Sequence, residues 1–199
     1  MMVRKRMIYF SVVIVVSLLG YFGWKLTARS AYESAEYKLL ESENSFETRE
    51  YPDLTLVTTN MQFDSQGDDG SFMRLFRYID GANDDQQKVA MTTPVFMEPE
   101  GSEESGQMGF VVPKIVTKQG VPQPVNKKVR VQKRVGGRFA VIRFNGRLNE
   151  KTVAKEEEKL RKWMSKKGLI ADGDSEYAGY DPPWTPGPFR RNEVLIRLK

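Results

Sequence analysis

Three patterns of apolar and polar positions divide this chain. Residues 7–24 contain no charged side chain and are dominated by Val, Ile, Leu, Tyr and Phe. As one helix, that run would span roughly 27 Å, close to the hydrocarbon thickness of a bilayer. Further on, short stretches alternate with a period of two and predict strands at 46–49, 54–61, 89–96, 108–112, 129–134, 139–144 and 194–198, with Tyr37 to Leu40 opening a first strand. Tyr51-Pro52-Asp53 breaks the first long pair, and Gly136-Gly137 predicts a turn between two others. Pro94 inside 89–96 points to an edge or a bulge. Two stretches instead repeat with helical spacing. Phe72, Leu75, Phe76 and Ile79 share one face of a helix that Ser71 can cap and Gly81 ends. Val153, Leu160, Trp163 and Met164 line a longer helix that Gly168 stops.

These elements recur in order. A shift of 85 residues places Leu54 and Leu56 on Phe139 and Val141, helix 72–79 on 157–164, and residues 109–111 on 194–196. The expected fold is α+β: two β-hairpin–helix–strand halves forming a largely antiparallel sheet or barrel with two helices packed on it.

Charge changes the picture only at the N-terminus. The formal net charge of +5 is carried by Arg4, Lys5, Arg6, Lys25 and Arg29, all preceding the first acidic residue, Glu33. The remainder is neutral, so nothing in the overall charge calls for nucleic acid. Arg4-Lys5-Arg6 before the apolar run favours an N-terminus in the cytoplasm and a domain outside it, with Tyr21, Phe22 and Trp24 at the far interface. A cleavable signal with a processing site near Ala28-Arg29-Ser30 is the other reading; the length of the run favours an uncleaved anchor. The expected organisation is an anchor at 1–29, a linker at 30–35 and one domain at 36–199. The expected location is the inner (plasma) membrane, single-pass, through residues 7–24.

The chain has neither cysteine nor histidine. That removes disulfides, thiolate nucleophiles, the usual zinc clusters and the Ser-His-Asp and Cys-His arrangements. No Walker A, GxGxxG or GxSxG run is present, and no residue set argues for catalysis. Asp172-Gly173-Asp174-Ser175-Glu176 opens like a calcium loop, but Tyr177 stands where its glycine belongs and Pro183 where its bidentate acid belongs. Ten basic residues between Lys114 and Arg147 have no acidic residue among them. They make either a face for anionic headgroups or carboxylates, or an ordinary solvated surface, and the second reading is favoured.

Gly179-Tyr180-Asp181-Pro182-Pro183-Trp184 is a loop stiffened by two prolines, and Arg190-Arg191-Asn192-Glu193-Val194 leads into the last strand. Together with Glu47-Thr48-Arg49-Glu50-Tyr51, Phe76-Arg77-Tyr78-Ile79-Asp80-Gly81-Ala82-Asn83, Met91-Thr92-Thr93-Pro94-Val95 and Phe110-Val111-Val112-Pro113-Lys114, these blocks resemble the SOUL/heme-binding protein family over residues 36–199. The resemblance implies a distorted antiparallel barrel of two pseudo-symmetric halves, non-covalent binding of heme or another tetrapyrrole, and no catalysis. It maps the ring-contacting positions of the first helix onto Met73, Phe76 and Arg77, and the other lip onto the loop from Trp184 to Arg190. A flat apolar ring needs such aromatic and thioether surface, and its carboxylates need Arg or Lys. Two departures stand out. Thr185 replaces a basic residue that some members carry, leaving Arg190 or Arg191, and no histidine can serve as an axial ligand, so iron is left to Tyr, Met or solvent. The competing reading makes Met73 and Phe76 core residues and Arg77 a surface charge. The second functional reading is an effector-sensing or protein-interaction module of the same fold without heme.

Overall fold

Nine strands hydrogen-bond side by side in a single antiparallel sheet, with no strand added in parallel. The computed structural model describes residues 13–15, 17, 20, 32–62, 70–99, 106–182 and 185–199. Within them the elements are β1 (Glu33–Ser34), β2 (Lys38–Glu43), β3 (Phe46–Tyr51), β4 (Leu54–Asn60), α1 (Ser71–Ile79), β5 (Thr92–Thr93), β6 (Val95–Glu98), β7 (Gln107–Val111), α2 (Lys114–Gln119), β8 (Val129–Arg134), β9 (Gly137–Phe144), α3 (Glu150–Lys167), β10 (Ala171–Gly179), a 3₁₀ turn (Gly187–Phe189) and β11 (Asn192–Leu198). The chain divides into Met1–Ala31 and Tyr32–Lys199. Most of the expected anchor at 7–24 lies outside the described residues; Val13, Ile14 and Val15 are helical and exposed. No helix among the described residues is long and apolar enough to cross a membrane.

The strand order is β2-β3-β9-β11-β10-β6-β7-β4-β8, with β1 and β5 forming a separate parallel pair. The sheet is open, which corrects the expected barrel: β2 and β8 are its edges and do not pair with each other. Both edges are poor templates for closure. β2 is exposed at all six residues and carries a bulge between Leu39 and Glu41, while β8 presents Arg130 and Lys133 to solvent.

The hairpins expected between β3 and β4 and between β8 and β9 do not form, although β2 and β3 are joined as one. β3 pairs with β9 and β4 with β8, so each half lends its first strand to the other. The two connections therefore pass against each other, at solvent-exposed Pro52, Asp53 and Val135. A Cβ on Gly136 would lie 2.4 Å from the Tyr51 carbonyl oxygen and 2.6 Å from the Pro52 carbonyl carbon, so only glycine fits. Asp53 Oδ1 accepts the Gly136 N–H at 2.8 Å and locks the crossing. The two dipeptide breaks that predicted hairpin turns are thus strand-exchange points.

The repeat survives this correction. Leaving β2 aside, the order from β3 to β8 mirrors about the β10–β6 pair, matching β3 with β8, β9 with β4 and β11 with β7. Leu75, Tyr78 and Ile79 of α1 and Leu160, Trp163 and Met164 of α3 are all buried, at the 85-residue spacing. The spacing is 84 for β7 and β11: Leu56 opposes Val111, and Val141 opposes Leu195. Alternation then sorts the core into two layers. Val57, Phe110, Ile142, Val194 and Ile196 face the helices. Leu56, Val111, Phe139, Val141 and Leu195 face a second cluster to which no helix contributes.

Four local differences from expectation have plain causes. Ser71 does not cap α1; Gly70 precedes it at φ +81°, and the Ser71 hydroxyl donates to Met108 Sδ at 3.9 Å. Pro94 is on neither an edge nor a bulge: it separates β5, paired with β1, from β6, which lies between β10 and β7. The calcium-like run is part of β10, a strand its Asp and Gly content conceals: Asp172 to Asp174 are exposed in a register break opposite β11, between the Ala171–Leu198 and Ser175–Ile196 pairs. A third helix, α2, follows Pro113. By contrast α3 is as expected, with Asn149 Oδ1 accepting the Thr152 N–H at 2.9 Å and Gly168 at φ +67° closing it.

Candidate functional site

α1 carries more apolar surface than it needs to pack. Ser71, Leu75, Tyr78 and Ile79 face the sheet. Met73 and Phe76 remain 46% and 42% exposed on a second side of the helix. Phe72 links the two sides: its ring stacks on Phe76 at 6.4 Å and meets Phe110 edge-on at 5.4 Å. Opposite this second side stand Met91, Thr93 and Val95 around β5 and β6, and Gly179 to Pro182 at the end of β10. With Tyr32 they enclose a cleft of about 470 Å³. That is the size of a pocket for a drug-sized ligand, and it has the composition of one. Among the described residues Asp181 is the only charged one in its wall.

The loop forming one wall is pinned at its ends. Tyr180 N–H donates to the Arg191 carbonyl at 3.1 Å, and Arg191 N–H donates to Asp181 Oδ2 at 2.6 Å. The two sequence blocks around residues 180 and 191 are therefore opposite feet of one loop. Asn83 shapes the other end of α1, its amide donating to the Tyr78 and Gln87 carbonyls while Tyr78 O–H donates to the Pro122 carbonyl.

Behind the cleft wall lies a buried ion cluster. Glu193 is fully buried on β11 and accepts a bidentate pair from Arg49 on β3 at 2.7 and 2.9 Å. It also accepts from the Tyr180 hydroxyl at 2.9 Å and from Arg191 Nε at 3.0 Å. Arg49 donates further to Glu47 at 2.6 Å and to the Tyr51 hydroxyl at 2.9 Å, and its guanidinium lies 4.1 Å from the Tyr37 ring centre. Burial pushes the Glu193 carboxyl up, but the two guanidiniums outweigh it and hold the group below its ordinary value. Burial likewise pulls Arg49 down, and Glu193 more than reverses that. The phenols go the other way: desolvation raises Tyr51 to about 12 and puts Tyr180 well above its usual value. Arg143 also pairs with Glu47 at 2.9 Å, so three arginines meet two glutamates and both carboxylates are engaged. The cluster rigidifies the Tyr180 wall of the cleft and leaves no free carboxylate there.

Of the residues singled out from sequence, Met73 and Phe76 lie on the cleft wall. Arg77 is exposed in the last turn of α1 and does not line the cleft. Arg190 is half-buried in the pinned loop, its Nε donating to the Thr185 carbonyl at 2.7 Å, and is not in the wall. Trp184 lies outside the described residues. Sequence reasoning did not single out Tyr32, Phe72, Met91, Val95 or Tyr180 as cleft residues, nor the Arg49–Glu193 pair. The pair had a legible signal: Glu47, Arg49 and Tyr51, like Arg191, Glu193 and Leu195, share the parity of inward-facing strand positions. The basic stretch from Lys114 to Arg147 does not form one face. Lys114, Lys133, Arg134 and Arg143 are ion-paired to Glu36, Asp53, Glu176 and Glu47, and β8 and β9 lie in different parts of the sheet. Among the described residues no group of three or more His, Cys, Asp or Glu could hold a metal ion.

The family model of the SOUL heme-binding proteins matches residues 32–197. The chain belongs to the SOUL heme-binding protein family. Heme-binding protein 1 of Xenopus laevis is 29% identical over 160 residues, covering 75% of this chain and 82% of that protein. Heme-binding protein 1 of Mus musculus is 31% identical over 130 residues, covering 62% of this chain and 67% of that protein. Among solved structures, a protein from Listeria innocua described as a hydrolase superposes with a TM-score of 0.56 at 10% identity, over 80% of this chain and 94% of its own. At that identity the likeness is one of fold alone. In this SOUL domain the sequence blocks that carried the resemblance fall as follows: one at the end of α1, one on β5–β6, one on β7 beside β6, where Phe110 meets Phe72, and three on the pinned loop and its ion cluster.

Proposed function

We propose that the domain binds heme or a closely similar tetrapyrrole non-covalently in the cleft beside α1, as a carrier or buffer rather than an enzyme. The observation that carries this reading is the apolar cleft itself, walled by two aromatic rings and one thioether of α1. A flat ring buries both faces against such side chains, worth about 25 cal/mol per Å² of apolar surface removed from water. The residues present fit the ring better than they fit its iron or its carboxylates. Among the described wall residues, Met73, Met91 and Tyr32 offer a sulfur or phenol oxygen that could meet a metal centre, whereas the Tyr180 hydroxyl is already given to Glu193. No described wall residue is cationic, so carboxylates are best accommodated outside the cleft, with Arg77 on the adjoining helical turn and Arg190 in the loop as the nearest candidates by sequence. When bound, heme would supply an iron centre for redox or ligand chemistry; the protein's own contribution is an apolar, rigid wall. The uncharged run at 7–24 behind Arg4-Lys5-Arg6 supports an exported domain tethered to the inner membrane. Alkaline phosphatase fused after Lys199 should then be active in intact cells; an inactive fusion of normal abundance would argue for a cytoplasmic domain.

Hemin titrated into the full chain in detergent, followed at the Soret band, tests the binding reading. Saturable one-to-one binding at a dissociation constant on the order of micromolar or tighter is expected, weakened by Phe76→Asp and to a lesser degree by Arg77→Glu. Absence of saturable binding by folded protein rejects heme and leaves a non-heme ligand or a protein partner for the same cleft. Binding that Phe76→Asp leaves intact places the site elsewhere.

A further inference from the structure

The chain contains nine methionines and no cysteine, so thioethers are its only sulfur. Their environments differ sharply. Met61, Met97, Met108 and Met164 are buried in the helix-side core, at 2%, 9%, 3% and 3% exposure. Met73 is 46% exposed and stands in the cleft wall. Met91 shares that wall and is half-buried. Oxidation of a thioether follows access of the oxidant to sulfur, so the fold singles out one described methionine, and that one is part of the candidate binding surface.

We infer that Met73 is a reversible oxidation site whose sulfoxide empties the cleft. The inference rests on the cleft being the ligand site. The step is a two-electron oxygen transfer from a peroxide. The Met73 sulfur lone pair attacks the distal peroxide oxygen, the O–O bond breaks, a sulfur–oxygen bond forms, and hydrogen peroxide leaves as water. A flexible apolar side chain thereby becomes polar and chiral. The side chains of Phe72, Phe76, Met91 and Val95 offer no hydrogen-bond donor, and a ligand lying between Met73 and the Tyr32 and Thr93 hydroxyls leaves the sulfoxide oxygen without a partner. Burying an uncompensated polar group of this kind costs enough to lower affinity by roughly tenfold or more. A reductase acting on the sulfoxide restores the thioether, and the exposure that admits the oxidant also admits the enzyme. A tetrapyrrole carrier would then release its ligand under peroxide and recover afterwards.

The experiment uses the full chain in detergent, treated with hydrogen peroxide without ligand, quenched with catalase and desalted. Peptide mass spectrometry follows each methionine, while hemin and the apolar dye ANS report on the cleft. Met73 should reach full sulfoxide at least about tenfold faster than Met61, Met97, Met108 or Met164. Hemin and ANS affinity should fall roughly tenfold in step with it and return after treatment with the MsrA and MsrB reductases. Met73→Leu, judged against its own untreated affinity, should lose nothing on treatment. Equal oxidation of buried and exposed methionines overturns the inference. So does unchanged affinity in protein fully oxidised at Met73, or an equal loss in Met73→Leu. If untreated protein binds ANS but not hemin, and oxidation still expels the dye, the heme reading fails and the oxidation site stands; if it binds neither, both fail.

Discussion

α1 and α3 are the same helix built twice, and the fold uses them differently. At the 85-residue spacing, Leu75 matches Leu160, Tyr78 matches Trp163 and Ile79 matches Met164; all six are buried against the sheet. On the other side of the helix the match ends. Met73 corresponds to Glu158, Phe76 to Arg161 and Arg77 to Lys162. On α3 these positions form ion pairs one turn apart, Glu158 with Lys162 at 2.5 Å and Glu157 with Arg161 at 2.8 Å. An ordinary solvated helix in this fold therefore looks like α3. Exposed Met73 and Phe76 on α1 are a departure from that norm, confined to the side where a cleft lies. The contrast is a stronger argument for a binding surface than their hydrophobicity alone, since scattered exposed apolar residues are common.

The exchanged strands show a second contrast. Arg49 on β3 and Arg134 on β8 occupy matching positions. Arg49 finds Glu193, Glu47 and the Tyr51 hydroxyl. Where Glu193 stands in one half, Gly109 stands in the other, with Thr58 and Leu56 side chains 3.1 and 3.2 Å from where its Cβ would be. Arg134 is left with Glu176, donating Nε–H at 2.8 Å, and with the rings of Phe96 and Phe139 at 4.4 and 4.5 Å. Its Nη1 has no hydrogen-bond partner among the described residues.

The largest expected effect separates these two arginines. Arg49→Met leaves the fully buried Glu193 with only Arg191 and Tyr180 and should cost about 3–5 kcal/mol. Arg134→Met gives up one partly buried ion pair together with an unsatisfied N–H and should cost only about 1 kcal/mol. Urea unfolding midpoints measure both, and equal losses would dissolve the distinction between the halves. The next effect concerns the helices. Met73→Glu with Phe76→Arg makes the cleft side of α1 resemble α3. It should lower hemin affinity by more than about tenfold, or 1.4 kcal/mol, while stability changes by about 0.5 kcal/mol or less. If affinity survives, the exposed apolar side of α1 is not the ligand surface.

The smallest effect is a pH dependence confined to the cluster. The folded carboxyl of Glu193 lies below its ordinary value, so its contribution is fully present above the unfolded value of about 4.3 and is lost as pH falls through the lower folded value. Arg191→Gln removes one of the two guanidiniums that hold it down. Between about pH 5 and pH 3 the melting temperature of that variant should fall by less than that of the wild type, from a lower starting point. Parallel melting curves would mean that Arg191 does not act on Glu193.

Local chemistry was enough to read most of the elements. The alternation of β4, β8, β9 and β11, the Asn149 and Gly168 boundaries of α3, and the 85-residue repeat all follow from side-chain period and capping, which neighbouring residues determine. The sequence blocks were enough for the family, and Met73 and Phe76 stood out because the resemblance pointed to α1. What period and capping cannot express is which strand lies beside which. Pro52 and Gly136 read as hairpin turns in isolation. Only the assembled chain shows that their strands leave for the other half, because exchange lets β3 carry Arg49 to within reach of Glu193, 144 residues away. The same holds for β10, whose Asp172, Gly173 and Asp174 fall within a strand because β11 pairs with Ala171 before them and Ser175 after them. The cleft belongs to this second kind of information. Its walls come from α1, β5–β6 and the foot of a loop more than 100 residues downstream, and their meeting is decided by the packing of the sheet rather than by any segment alone.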